Sequence, residues 1–177
     1  QHFPRTDPVA IMLAVRGDHV DWLTEAQYNV LDVARRIPRI EVIGGPGTGK
    51  TWLAIEQARR WSAEGQRVAL VCYSRGLSTW IARRVAHWPK ALRRNVRVRT
   101  YHALGVEWGV EIGNARDQEY WDVTMPAQMT ELAKALPDEQ RFDALIVDEA
   151  QDCPDAWWPS LLASLRDPEA RSNCLPR

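Results

Sequence analysis

Residues 44–51, with the sequence GGPGTGKT, constrain the fold of this chain more than any other segment. Their glycines let backbone N–H groups turn inward around an anion, and a helix that begins at Lys50 would direct its positive end at the same anion. An apolar strand candidate precedes the loop at residues 40–43, and a helical pattern follows it until Gly65. The pattern predicts a strand, a phosphate-binding loop and a helix.

The two residues that end this loop suit a nucleoside triphosphate with its metal ion. Lys50 would reach the β- and γ-phosphates, and the Thr51 hydroxyl would bind Mg²⁺. ATP and Mg²⁺ are therefore the predicted cofactors. A chance glycine-rich turn is the competing interpretation, and the flanking strand and helix argue against it. The candidate nucleotide contacts from this segment are Gly44, Gly45, Pro46, Gly47, Thr48, Gly49, Lys50, Thr51 and Trp52.

Strand and helix patterns alternate along the rest of the chain. Strands are predicted at residues 67–73, 96–100 and 144–147, and helices at residues 50–63, 77–88, 126–136 and 156–166. Residues 105–124 are poorly periodic, and residues 171–177 resemble an arbitrary ending. This alternation predicts an α/β fold, with a mostly parallel sheet, helices on both faces and ligands at the carboxyl ends of the strands. We expect an N-terminal arm at residues 1–21 and one domain at residues 22–177.

Composition excludes several classes of protein. The 177 residues carry 23 basic and 23 acidic side chains, so the net charge gives no argument for nucleic acid or membrane partners. Three widely spaced cysteines disfavour a disulfide framework and a zinc site, and the apolar runs are only as long as strands. We expect a cytoplasmic protein without a membrane segment.

A second motif follows the apolar strand at residues 144–147, where the sequence continues as DEAQD. We expect this strand to lie beside the phosphate-loop strand and to direct Asp148 at the metal ion. Glu149 would then act as general base toward the water that attacks the γ-phosphate, which predicts hydrolysis as well as binding. A solvated acidic turn that caps the next helix is the alternative.

At these residues the chain resembles the UvrD/Rep-like helicases of superfamily 1, whose second motif reads Asp-Glu-x-Gln-Asp. LTEAQ at residues 23–27 is similar to the family's N-terminal glutamine motif. Residues 68–81 and RTYHALG at residues 99–105 are similar to its two motifs that touch single-stranded DNA. The resemblance covers residues 22–166 and implies part of the first RecA-like motor domain.

The resemblance also implies roles for individual residues. Gln27 would read the adenine edge, although a helix-capping role explains it equally well. Gln151 would sense the γ-phosphate and act in catalysis with Lys50 and Glu149, and Asp152 would support the local turn. Simple helix capping remains the alternative for both Gln151 and Asp152.

Members of this family build their ATP site between two RecA-like domains, and only the first is represented here. The second domain supplies arginines that stabilise transition-state charge, so we expect this chain alone to hydrolyse ATP weakly and not to unwind a duplex. Such a chain would be a fragment or a truncation. An AAA+-type ATPase and a nucleotide-gated binding module without turnover are the competing functions.

A local basic region lies between Tyr73 and Val106, where eight arginines and lysines occur without any Asp or Glu. Aromatic and imidazole side chains are interleaved with them, a combination that single-strand binders use. A solvated helix face with an arginine-rich edge strand is the alternative. We expect weak binding of single-stranded DNA. The predicted contacts are Ser74, Arg75, Arg97, Arg99, Thr100, Tyr101 and His102.

Overall fold

A computed structural model describes residues 29, 31, 39–41, 47–114, 116–167 and 171–175. The predicted arm at residues 1–21 and the predicted nucleotide contacts Gln27, Gly44, Gly45 and Pro46 lie outside the described residues. The strands are β1 (Arg39–Glu41), β2 (Val68–Cys72), β3 (Val96–Thr100), β4 (Ala144–Asp148) and β5 (Arg171–Leu175). The helices are α1 (Lys50–Ala63), α2 (Arg75–Ala86), α3 (Lys90–Arg93), α4 (Tyr101–Trp108), α5 (Met125–Lys134) and α6 (Trp158–Ala163).

The five strands form one parallel sheet in the order β1-β5-β4-β2-β3. Cys72 at the end of β2 pairs with Asp148 of β4 on one side and with Thr100 of β3 on the other. The carboxyl ends of these three strands therefore meet at one edge. This confirms the predicted α/β fold with a parallel sheet.

The order of the strands corrects two expectations. β4 does not lie directly beside β1, because β5 is inserted between them and pairs with both. Residues 171–175, for which we predicted no element, form that strand. Their sequence RSNCL has too few apolar residues to show a strand pattern, and only the neighbouring strands provide its hydrogen-bond partners.

Both faces of the sheet are covered by helices, as predicted. Every residue of β2 and β4 is buried, which explains their continuous apolar sequences. Alternate strand residues face two separate cores. One core joins Leu70 and Ile146 to α1 and α2, and the other joins Val71 and Val147 to α4, α5 and α6.

Helix boundaries follow from local capping. α2 begins at Arg75, two residues before the prediction, because the Ser74 hydroxyl accepts a hydrogen bond from Leu77 N at 3.2 Å. The helix α4 was not predicted. Thr100 caps it by accepting from Ala103 N at 3.2 Å, and Gly109 ends it with φ of 105°. In α1, Gly65 follows the C-cap with φ of 85°, which confirms the predicted stop.

Arg141 joins the C-terminal ends of α5 and α6 on the side of the sheet where β4 begins. Its guanidinium donates to the carbonyls of Leu136 at 3.0 Å, Ala163 at 2.8 Å and Lys134 at 2.6 Å. These carbonyls end helices and lack intrahelical partners, so Arg141 fixes the two helices against each other. In the part of the chain that the structure describes, no helix is long and apolar enough to cross a membrane.

Candidate active site

The described half of the phosphate loop has the geometry that an anion site needs. Gly47 and Gly49 have φ of 76° and 82°, in the left-handed region that favours glycine. Gly49 precedes the first turn of α1, which contains no acidic residue and has no side-chain cap at Gly49. The positive end of this helix is therefore open toward the loop.

Lys50 is buried at the base of the loop, with 7 % of its surface exposed. Its Nζ lies 3.4 Å from Thr48 Oγ1. Burial raises the pKa of the Asp148 carboxyl, and the charge of the nearby Lys50 ammonium opposes that rise. The fold therefore places the predicted phosphate-binding cation beside the second motif, although Lys50 and Asp148 are far apart in sequence.

Asp148 lies at the carboxyl end of β4 and is fully buried. Burial raises the pKa of its carboxyl, while the Thr51 hydroxyl acts in the opposite direction. Its Oδ1 accepts from Glu149 N at 3.1 Å, and its buried Oδ2 has no hydrogen-bond partner among the described residues. An unsatisfied carboxylate oxygen beside a hydroxyl fits hydrated Mg²⁺, which prefers oxygen ligands.

Glu149 has an unusual backbone conformation. Its φ of 59° is the only positive value for a non-glycine residue in the described part of the chain. Such a conformation costs about 1 to 3 kcal/mol and is concentrated at functional sites. Here it turns the chain sharply after the buried strand and places the half-exposed Glu149 side chain beyond Asp148.

Gln151 contacts the predicted general base directly, since its Nε2 donates to Glu149 Oε2 at 2.6 Å. Asp152 N donates to the Glu149 carbonyl at 3.0 Å and closes a short 3-10 turn over Ala150–Asp152. The capping residue of the next turn is Pro154 and that of α6 is Trp157, neither with a side-chain hydrogen bond. The geometry therefore favours the site interpretation of Gln151 over helix capping.

Trp52 follows Thr51 in the first turn of α1 and packs against α2. The Arg84 guanidinium lies 4.2 Å from the centre of the Trp52 ring and 4.3 Å from that of Trp80. The two tryptophan rings meet edge to face at 5.6 Å. Trp52 remains 38 % exposed, so an aromatic surface is available next to the phosphate loop.

Two of the predicted DNA contacts are placed inside the protein. Tyr101 is fully buried and its hydroxyl lies 2.9 Å from Ser160 Oγ. Thr100 is 6 % exposed and uses its hydroxyl to cap α4. Both side chains are buried because the alternating strand pattern ends at Thr100 and the next helix turns Tyr101 into the core. Ser74 and Arg75 are exposed, as a contact requires.

Arg97 and Arg99 share an acidic partner that lies just beyond the basic region. Arg97 Nε is 3.7 Å from Glu107 Oε2, and Arg99 Nε pairs with Glu107 Oε1. Both arginines lie on β3, which is one of the two edge strands of the described sheet. This arrangement matches the alternative of an arginine-rich edge, and part of its charge is neutralised locally.

Tyr73, which directly follows β2, was not among the predicted contacts. Its ring is 49 % exposed and stacks on Trp157, with ring centres 5.9 Å apart and planes 19° apart. Trp157 also stacks on Tyr101, with centres 4.0 Å apart and planes 3° apart. The position of Tyr73 at the end of a predicted strand, next to the predicted contacts Ser74 and Arg75, could have indicated such a contact.

The fold and the site define a P-loop nucleotide-binding domain of the α/β class. A family model described as an AAA domain matches residues 27–171, and the chain belongs to this family. The match extends from the predicted glutamine motif to the first residue of β5, so it includes both the phosphate loop and DEAQD. A search of curated proteins gave no match.

Proposed function

We propose that this chain is an ATP-hydrolysing motor domain of the superfamily 1 helicase or translocase type. The observation that carries the proposal is the Asp148 carboxylate at the end of β4, which is fully buried and whose Oδ2 has no hydrogen-bond partner among the described residues. Glu149, the next residue after Asp148, accepts a hydrogen bond from the Gln151 amide. In this proposal Gln151 of the second motif therefore has a role beside the carboxylate that would hold the metal ion.

Each residue of the site has a distinct task in this mechanism. Lys50 and the first N–H groups of α1 would bind the β- and γ-phosphates, and Thr51 and Asp148 would hold the metal ion, Asp148 through water. When bound, Mg²⁺ neutralises charge that develops on the phosphate oxygens. Glu149 takes the proton of the attacking water, and Gln151 keeps the Glu149 carboxylate oriented toward that water.

The nucleotide base belongs beside Trp52, which the Arg84 and Trp80 side chains hold at the edge of the loop. The support for this assignment is the exposure of Trp52 and its position one residue after Thr51. Its indole offers a flat apolar surface for a base. Adenine recognition by Gln27 remains part of the proposal.

Single-stranded DNA is the proposed polymer partner, at the edge where β2, β3 and β4 end. Tyr73 offers a half-exposed ring for base stacking, and the adjacent Arg75 offers a charge for phosphate. Ser74 and His102 lie in the same two segments. Arginines from a second RecA-like domain would complete the catalytic site, so turnover by this chain alone is expected to be slow.

The test is steady-state Mg·ATP turnover with and without oligothymidine. We expect slow hydrolysis that oligothymidine accelerates. Turnover without acceleration, together with ring assembly in sedimentation, would support an AAA+-type ATPase instead. Tight ATP binding with no turnover would support a nucleotide-gated binding module and would contradict the motor function.

A further inference from the structure

Trp157 contacts both segments that we associate with nucleic acid. Its ring stacks both on Tyr73, which follows β2, and on Tyr101, which follows β3. The imidazole of His102 meets the same indole edge to face, with ring centres 5.2 Å apart. Trp157 itself is only 3 % exposed, so it acts from inside the protein.

A short hydrogen-bonded connection links Trp157 to the acidic motif. Asp152 N donates to the Glu149 carbonyl at 3.0 Å, and Cys153 Sγ lies 3.8 Å from the same carbonyl. Trp157 N then donates to the Pro154 carbonyl at 3.0 Å, within a second 3-10 turn. Two consecutive 3-10 turns therefore connect the strained Glu149 backbone to Trp157 through a short, hydrogen-bonded stretch of chain.

The stack is also anchored on its inner side. Ser160 Oγ donates to the Trp157 carbonyl at 2.8 Å and lies 2.9 Å from the Tyr101 hydroxyl. Tyr101 and Trp157 are therefore fixed to each other by stacking and by a shared serine. Tyr73 is the exposed end of the stack and the member that a bound strand would meet first.

We propose that Trp157 is a positioning residue that couples the nucleotide site to the proposed DNA contacts Tyr73 and Arg75. This inference rests on the proposed function. A γ-phosphate reorients the turn that carries Glu149 and Gln151, and the turn shifts Trp157 and with it Tyr73. Because such coupling is reciprocal, a strand stacked on Tyr73 changes nucleotide affinity by the same factor.

The experiment measures the affinity for a fluorescent oligothymidine in two nucleotide states. One titration contains Mg·ADP, and the other contains Mg²⁺ with a non-hydrolysable ATP analogue. In the wild type we expect the two dissociation constants to differ by at least about fivefold. Trp157→Leu should bring this ratio close to one, while its nucleotide affinity stays within about twofold of the wild type.

Two matched variants separate coupling from general packing. Trp108→Leu removes a partly buried tryptophan that packs on the same core outside the stack, so it should keep the wild-type ratio. Trp157→Phe keeps an aromatic ring and should keep part of the difference between the two dissociation constants. A Trp157→Leu variant with an unchanged ratio would overturn the proposal.

If circular dichroism shows that Trp157→Leu is unfolded, Tyr73→Leu replaces it. This substitution removes the exposed ring of the stack. The affinity for oligothymidine should therefore fall in both nucleotide states, and the ratio of the two dissociation constants should approach one. A ratio that persists in Tyr73→Leu overturns the coupling. A wild type that binds both ligands with a ratio of one contradicts the coupling alone, whereas one that binds nucleotide but no oligothymidine contradicts the proposed nucleic-acid function as well.

Discussion

Gln151 Nε2 donates a hydrogen bond of 2.6 Å to Glu149 Oε2, between two side chains separated by one residue. The left-handed backbone of Glu149 accompanies this contact. A carboxylate that accepts an amide hydrogen bond keeps its oxygens oriented and remains available to accept a proton from water. The contact thus links the proposed phosphate sensor to the proposed general base.

Replacing Glu149 by Gln should separate binding from hydrolysis. The amide has nearly the same shape but cannot take the water's proton, so we expect turnover to fall by about 100-fold or more with nucleotide affinity retained. Asp155→Asn, at an exposed acidic position in the following turn, should change neither quantity. Turnover by Glu149→Gln at the wild-type rate would remove Glu149 from the role of base.

Arg75 should contribute to strand binding, whereas Tyr101 should not. Arg75→Glu is expected to weaken oligothymidine binding and to reduce the slope of log affinity against log salt by about one, because one phosphate contact is lost. Arg83→Glu, near the far end of the same helix, is the charge-matched control.

Tyr101→Phe should leave binding unchanged and cost about 1 kcal/mol of stability, because a buried hydroxyl is removed from Ser160. Weaker strand binding by Tyr101→Phe at unchanged stability would restore Tyr101 as a contact.

The close approach of α4 and α5 depends on Gly105. A Cβ at this position would lie 2.7 Å from Met129 Sδ and 2.8 Å from Met125 Cε. Methionine side chains adapt, so Gly105→Ala should lower the free energy of unfolding by only about 1 kcal/mol. Gly76→Ala, in α2 with nothing within 4 Å of the added carbon, should not destabilise the protein. Urea unfolding compares the two, and equal stability for both variants would refute the packing argument.

His102 should make stability depend on pH. Burial, and then the charge of Arg75, lowers the pKa of its imidazole. The unfolded chain therefore binds a proton more readily, and the stabilisation is lost as pH falls through the unfolded value of about 6.5. We expect the unfolding free energy to decrease from pH 7.5 to pH 5, and His102→Gln to show a smaller decrease. An identical pH profile for both proteins would exclude this contribution.

The phosphate loop, the acidic motif and the parallel sheet could be predicted because each depends on local spacing and on buried strands without polar interruptions. The strand β5 could not, since its polar sequence acquires a strand structure only between β1 and β4. The burial of Tyr101 could not be predicted for a related reason. Its packing partners Trp157 and Ser160 lie more than fifty residues away, and a pattern of neighbouring residues carries no information about them.

The basic region shows the same limit for charge. A count of charges that ends at Val106 omits Glu107, which is the residue that pairs with Arg97 and Arg99. The next turn of chain determines whether two arginines are available to phosphate. Sequence alone places the charge on a segment, but the pairing depends on how α4 folds back over β3.

Calorimetric titration of Mg·ATP into the wild type and Lys50→Ala tests the central claim most directly. Lys90→Ala, at an exposed position on α3, is the matched control. We expect Lys50→Ala to lose at least about tenfold in affinity, because a triphosphate loses its principal side-chain cation, and Lys90→Ala to bind like the wild type. Equal Mg·ATP affinity for Lys50→Ala and the wild type would contradict the assignment of residues 44–51 as the phosphate-binding loop.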